Sequence, residues 1–243
     1  MLTAPTVEKL RELKFEGMLK ALEHQLASST YQELSFEERL GLLVDMELTE
    51  RKNRRLKARL QKAKLRHQAC LEDIDHRHPR GLDKGLIISL ASCQWIQDRM
   101  NVAVTGPTGV GKSYIACALG HRACLEGFRV FYFRASRLFQ ELLLARGDGR
   151  YAKLMNSLAK CHLLIIDDWG LSVLTDQEQK DLLEIVEDRY QVGSTIIASQ
   201  LPVENWHQVM ANPTLADAIL DRLIHNAYKI TLKGESMRKK KTS

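Results

Sequence analysis

A chain of 243 residues, 44% hydrophobic and 27% charged, has length for one substantial core with a small helical appendage and carries no low-complexity tract. No stretch reaches the roughly 20 apolar residues of a membrane span, and the amphipathic N-terminus lacks a signal-peptide run, so the chain reads as soluble, intracellular and without a membrane partner. The net charge of +6 admits a polyanionic partner, and five cysteines without C-x-x-C spacing read as buried reduced thiols.

From the N-terminus to about residue 75 the pattern is helical. Val7, Leu10, Leu13, Met18, Leu22 and Leu26 recur at helical spacing, and Ser28, Ser29 and Thr30 interrupt them. A second helix opens near Ser35, with Glu38 three residues on in the manner of a capping box, and carries Leu40, Leu43, Glu47 and Leu48 before Leu56 and Leu60. Its later part, RKNRRLKARLQKAKLR (51–66), holds no acid at all. A solvated helix normally interleaves signs, and unrelieved positive charge repels itself, so this run favours phosphate contact. His76 and His78 sit among Asp75, Arg77 and Pro79 and read as linker rather than as a metal site.

Beyond residue 85 the pattern changes to short apolar strands alternating with helices. Strands are expected at 101–105, 129–133, 162–166, 194–199 and 227–232, with helices at 112–126, 136–146, 177–191 and 213–223. Such βαβ units imply an α/β fold with a mainly parallel sheet covered on both faces. The expected organisation is a helical N-terminal DNA- or partner-binding domain (1–70), a linker (71–85), an α/β domain (86–234) and a basic tail (235–243).

GPTGVGKS (106–113) fits G-x-x-x-x-G-K-[ST], follows the apolar strand NVAVT and leads straight into an amphipathic helix. Gly106, Gly109 and Gly111 let the backbone curl so that loop N–H groups face phosphate oxygens, and Gly106, Pro107, Thr108, Gly109, Val110, Gly111, Lys112 and Ser113 together form the expected nucleotide cradle. Lys112 would reach the β- and γ-phosphates of ATP, and Ser113 would ligate Mg2+. CHLLIIDDWG (161–170) ends an apolar strand in two acids: Asp167 to hold Mg2+ and Asp168 to orient the attacking water. Ser199 and Gln200, at the tip of another strand, could sense the γ-phosphate or place that water, or could simply end the strand before Pro202.

Taken together with LSFEERL (34–40), LEDIDHRHPRGLDK (71–84), SQLPVENWH (199–207), PTLADAILDRL (213–223) and LKGESMRKKK (232–241), these motifs resemble the IstB-like insertion-sequence ATP-binding proteins. Those are AAA+ relatives of the DnaC helicase loader, and the resemblance covers essentially the whole chain. It implies an AAA+ P-loop ATPase with a five-stranded parallel sheet sandwiched by helices, behind a small all-helical N-terminal domain. It also implies a sensor strand between the P-loop and acidic strands, with Ser199 and Gln200 as the sensor-1 region. Arg222 becomes an arginine finger acting on ATP bound by a neighbouring subunit, and Arg238 a sensor-2-like candidate.

The implied function is to assemble as a homo-oligomer on double-stranded DNA, with ATP sites at subunit interfaces, and to stimulate a cognate transposase. The implied setting is the bacterial cytoplasm, on the nucleoid when DNA-bound. Two basic patches are candidate DNA contacts: Arg51, Arg54, Arg55, Lys57 and Arg59 in the N-terminal helix, and Arg146, Arg150 and Lys153 before the acidic strand. The competing readings are a DnaC-like loader of a replicative helicase, a small-molecule P-loop kinase, and an ATP-binding switch with little turnover.

Overall fold

The computed structural model describes residues 3–237, and the chain divides into two compact units, Met1–Ala58 and Arg59–Ser243. The first holds α1 (Thr3–Glu12), α2 (Glu16–Ala27), a 3-10 turn (Ser29–Glu33) and most of α3 (Phe36–Ala63), which passes into the second at Arg59. The capping box is present: the Ser35 amide donates to Glu38 Oε2 at 2.8 Å and the Glu38 amide to Ser35 Oγ at 3.2 Å. Glu47 of α3 is buried and accepts from the Gly17 and Met18 amides, so an acid on one helix caps the start of another. Burial opposes its charge, but Arg51 and those amides outweigh burial and hold its pKa below the ordinary carboxylate value.

The second unit adds α4 (Lys84–Ala91), α5 (Gln94–Gln97), β1 (Asn101–Thr105), α6 (Lys112–Leu125), β2 (Val130–Arg134), α7 (Ala135–Gly147) and α8 (Tyr151–Lys160). It continues with β3 (Leu163–Trp169), α9 (Asp176–Arg189), β4 (Ser194–Ser199), α10 (Pro213–Ile224) and β5 (Ala227–Thr231). The strands form one parallel sheet in the order β2-β3-β4-β1-β5, so β4 lies between the P-loop strand and the acidic strand. Every residue of β1 and β4 is buried, as expected where helices cover both faces of a sheet. Turn chemistry sets the helix starts: Thr175 and Glu178 make a capping box for α9, and Asn212 with Pro213 opens α10.

Two expectations shift. The β2 and β3 strands begin one residue later than expected, and β3 runs on to Trp169 because a bulge between Ile166 and Trp169 lets the ladder resume with Ser199. α4, α5 and α8 stand beside the helices expected at 112–126, 136–146, 177–191 and 213–223; α8 is a ten-residue segment before the acidic strand that buries Met155 and Leu158.

At the N-terminal ends of β3 and β4 a buried arginine does the joining. Arg189 donates to the carbonyls of Leu158 (2.6 Å) and Cys161 (2.9 Å), to Thr195 Oγ1 (3.2 Å) and to the Ser194 carbonyl. No acid pairs with it among the described residues, and burial pulls its pKa down.

Candidate functional site

Between β1 and α6 the chain makes a loop whose backbone requires glycine at particular positions. Gly106 has φ +145°, and a Cβ there would collide with the Leu232 carbonyl oxygen. Gly111, the N-cap of α6, has φ +98°, and a Cβ would lie 2.5 Å from Arg80 Nη1. That arginine is buried behind the loop: Nη1 donates to the Val110 carbonyl at 2.8 Å and Nη2 to the Asp75 carbonyl at 3.1 Å. The loop is tied from the other side by the Met237 amide, which donates to the Gly109 carbonyl at 3.0 Å. Lys112 Nζ donates to the Pro107 carbonyl at 2.8 Å, so the ammonium lies across the mouth of the loop. Loop amides, a helix N-terminus and an ammonium in one place make an anion cradle.

The acids of β3 stand beside it. Asp167 is 1% exposed; its Oδ2 accepts from the Tyr132 hydroxyl at 2.6 Å and its Oδ1 from the Asp168 amide at 2.8 Å. Asp168 sits in the bulge at φ +57°, a left-handed conformation that aspartate adopts more readily than most residues. The turn leaves Asp168 partly exposed while Asp167 stays enclosed. Arg66 Nη1 lies 3.3 Å from Asp168 and 3.9 Å from Asp167. Burial, and then the hydrogen bond to Asp167, push the Tyr132 phenol up, so it remains a donor.

These groups open onto a cleft of about 710 Å³, the size range of small-ligand sites. Arg66, Arg80, Lys112, Ser113, Asp168 and Gln200 line it. Gln200 Oε1 accepts from Thr108 Oγ1 at 2.8 Å, linking the sensor strand to the loop. The donors fit a polyphosphate, and the hydroxyl of Ser113 with the carboxylate of Asp167 suits a hard divalent cation.

Ser199, expected at the phosphates, lies beside the cleft rather than in it, and Arg222, expected to act on ATP of a neighbouring subunit, is remote from this chain's own cleft. Ser199 is fully buried; its hydroxyl donates to the Trp169 carbonyl (2.9 Å) and accepts from the Leu201 amide (3.0 Å), so it holds the turn that carries Gln200. Arg222 is at the opposite end of the sheet: its carbonyl meets Asn101, the first residue of β1, and its Nη2 is 3.0 Å from Glu187. A five-residue strand, roughly 16 Å, separates that end from the loop.

The basic patches also divide. Arg51 pairs with Glu47 at 2.6 Å, whereas Arg54, Arg55 and Lys57 are exposed on α3. Arg59 donates from Nε to the Cys124 carbonyl at 2.8 Å. Arg146 is engaged by Asp181 and lies over the Tyr151 ring at 3.7 Å, Arg150 pairs with Asp148 at 2.6 Å, and Lys153 is exposed. The expectation of one DNA-facing set at Arg146, Arg150 and Lys153 thus meets a local difference: acids already neutralise the two arginines. Arg238 and the rest of the basic tail, residues 238–243, lie outside the described residues. The sequence reading missed Arg66, Arg80 and Tyr132; the only forward signal was that Arg66 closes the acid-free run.

A P-loop after the first strand, an acid pair near the end of the third, and the fourth inserted between them in a parallel 2-3-4-1-5 sheet define an AAA+ P-loop ATPase fold. Within that class the IstB-like ATP binding protein family model matches residues 8–243, and the chain belongs to that family. It is 54% identical over 239 residues to a protein named as an insertion sequence ATP-binding protein, y4pL of Sinorhizobium fredii (strain NBRC 101917 / NGR234), covering 98% of each chain. It is 31% identical over 231 residues to the ATP-binding protein of insertion sequence IS21 from Pseudomonas aeruginosa, covering 95% of this chain and 87% of that one. Among solved structures it is similar to the DnaC helicase loader, with TM-score 0.57 and 20% identity over 70% of this chain and all of that one.

Proposed function

We propose that this protein is an ATP-hydrolysing, DNA-binding AAA+ ATPase that assembles on duplex target DNA and stimulates the transposase of its insertion sequence. The observation that carries this reading is a cleft lined by Lys112, Ser113 and Asp168, with the enclosed Asp167 next to Asp168 on β3, while Arg222 lies at the other end of the sheet. Such a site is half complete in one chain and is finished by a neighbour.

The residues then take these roles. Lys112 and the loop amides bind the β- and γ-phosphates of ATP, and Ser113 with Asp167 holds Mg2+, which supplies charge neutralisation at the transferring phosphoryl group. Tyr132 orients the Asp167 carboxylate. Asp168 and Gln200 orient the attacking water. Arg222 of an adjacent copy faces the γ-phosphate, so that hydrolysis depends on assembly, as a permanently charged guanidinium in trans allows. The exposed apolar residues of the first unit, including Phe36, Leu40 and Leu48, offer a surface to the transposase. In the cell this places the protein in the cytoplasm, on the nucleoid while DNA-bound.

The test is duplex binding as a function of nucleotide. With a non-hydrolysable ATP analogue the wild type should bind duplex DNA, and Lys112→Ala should not; equal binding by the variant would separate DNA from the nucleotide site. Pull-down of the transposase encoded beside the gene, against a replicative helicase, decides between transposition and helicase loading.

A further inference from the structure

A basic hollow lies at the other end of the sheet from the P-loop. The last residues of α3, the start of β2 and one side of α8 line a basin of about 330 Å³. Arg59, Lys62, Arg129, Lys153 and Lys160 line it, with the neutral donors Asn156 and Ser157, and no acid does.

Elsewhere on this unit Arg122 pairs with Glu126, Arg146 with Asp181, Arg150 with Asp148 and Arg222 with Glu187, while Arg77, Arg99, Arg134 and Arg137 are exposed and scattered, without an ion pair among the described residues. Among the described residues none of the five basin cations makes an ion pair. Its two arginines are instead held by backbone oxygens, Arg59 on the Cys124 carbonyl and Arg129 on the Lys160 carbonyl, each at 2.8 Å. Those bonds fix the guanidinium groups in place and leave their charge uncancelled. Five like charges around one hollow repel one another, and an anionic ligand relieves that repulsion. Lys160 also closes α8, where the negative end of the helix dipole offsets part of it. The neighbouring His162 reads the same field: burial, then Arg129, Arg99 and Arg189, hold its pKa below 6.5.

We propose that this basin binds the phosphodiester backbone of duplex DNA, with Lys62, Arg129 and Lys160 joining Arg59 and Lys153 as contacts. The inference rests on the proposed DNA-binding function and gives it a location. Mobile lysines without an ordered base-reading set favour backbone contact over sequence readout. The position suits the task, because β2 is the sheet edge and the basin opens at the N-terminal ends of β2 and β3, whereas ATP phosphates would bind beyond their C-terminal ends. DNA therefore does not compete with the triphosphate, and β3 has the basin at its start and Asp167 near its end.

The experiment is fluorescence anisotropy of the full chain on two duplexes of unrelated sequence, with a non-hydrolysable ATP analogue, from about 50 to about 200 mM salt. The triple variant Lys62→Gln, Lys153→Gln, Lys160→Gln should bind both duplexes more weakly by on the order of tenfold or more, with the log–log salt slope reduced by about 2–3. The matched Lys→Arg triple should keep wild-type affinity and slope. Unfolding temperature and binding of a fluorescent ATP analogue confirm that each variant is folded. Wild-type affinity and slope in the glutamine triple would overturn the basin and leave DNA binding standing. No duplex binding by the wild type at about 50 mM salt would remove the proposed function, and the basin with it.

Discussion

At the C-terminal ends of β1 and β3 an anion would meet amides held by positive-φ glycines, one enclosed ammonium and two fixed carboxylates. At the N-terminal ends of β2 and β3 it would meet exposed lysines and two arginines fastened to carbonyls. The first site recognises by shape, since its backbone is already bent to the ligand and rejects even a methyl group at Gly106. The second recognises by charge, since its side chains can follow any phosphate track. One suits a ligand of defined stereochemistry, and the other suits a polymer read without regard to sequence.

Four perturbations sharpen that contrast, beginning with the largest. Arg189→Ala removes the guanidinium that joins Leu158, Cys161, Ser194 and Thr195, leaving several buried acceptors unpaired. It should cost about 3–5 kcal/mol in urea unfolding. A loss under about 1 kcal/mol would mean those oxygens find water instead. Lys112→Ala should weaken binding of a fluorescent ATP analogue by on the order of a hundredfold, the scale of a lost hydrogen bond to a charged group. Its unfolding midpoint should stay near that of the wild type, because shape at this end resides in the glycines.

A smaller effect is expected at Tyr132→Phe. Without its donor Asp167 loses one orienting bond, and the Mg2+ concentration for half-maximal analogue binding should rise about threefold to tenfold. Unchanged Mg2+ dependence would place Asp167 outside the metal site. The smallest is a pH effect at the basic end. The native state holds the His162 pKa below 6.5, so below that pH the unfolded chain binds a proton that the folded one refuses. Stability should therefore fall as pH drops below about 6.5 and level off above it, and His162→Gln should flatten that part of the curve.

What could be read from the sequence follows the same division. The phosphate cradle and the strand cores were accessible because their chemistry lies in consecutive residues: a glycine spacing, an apolar run and an acid pair each report local geometry. The bulge was hidden, because IIDDWG reads equally well as a strand ending at Ile166 and as one that turns out Asp168 and resumes at Trp169. Partners across the chain were hidden too. Nothing in residues 51–66 distinguishes Arg51, which meets Glu47, from Arg59, which lines the basin, or from Arg66, which meets an acid 102 positions away. Charge can be counted in a sequence, but its cancellation depends on the fold, as Arg146 against Asp181 shows.

The central claim is that ATP held at one end of the sheet drives assembly on DNA. Electron microscopy of the full chain with duplex DNA and a non-hydrolysable ATP analogue tests it most directly. Ordered protein assemblies on the duplex should appear only when both ligands are present, and Lys112→Ala should leave the DNA bare. The same assemblies without nucleotide, or isolated particles beside bare DNA in every condition, would contradict it.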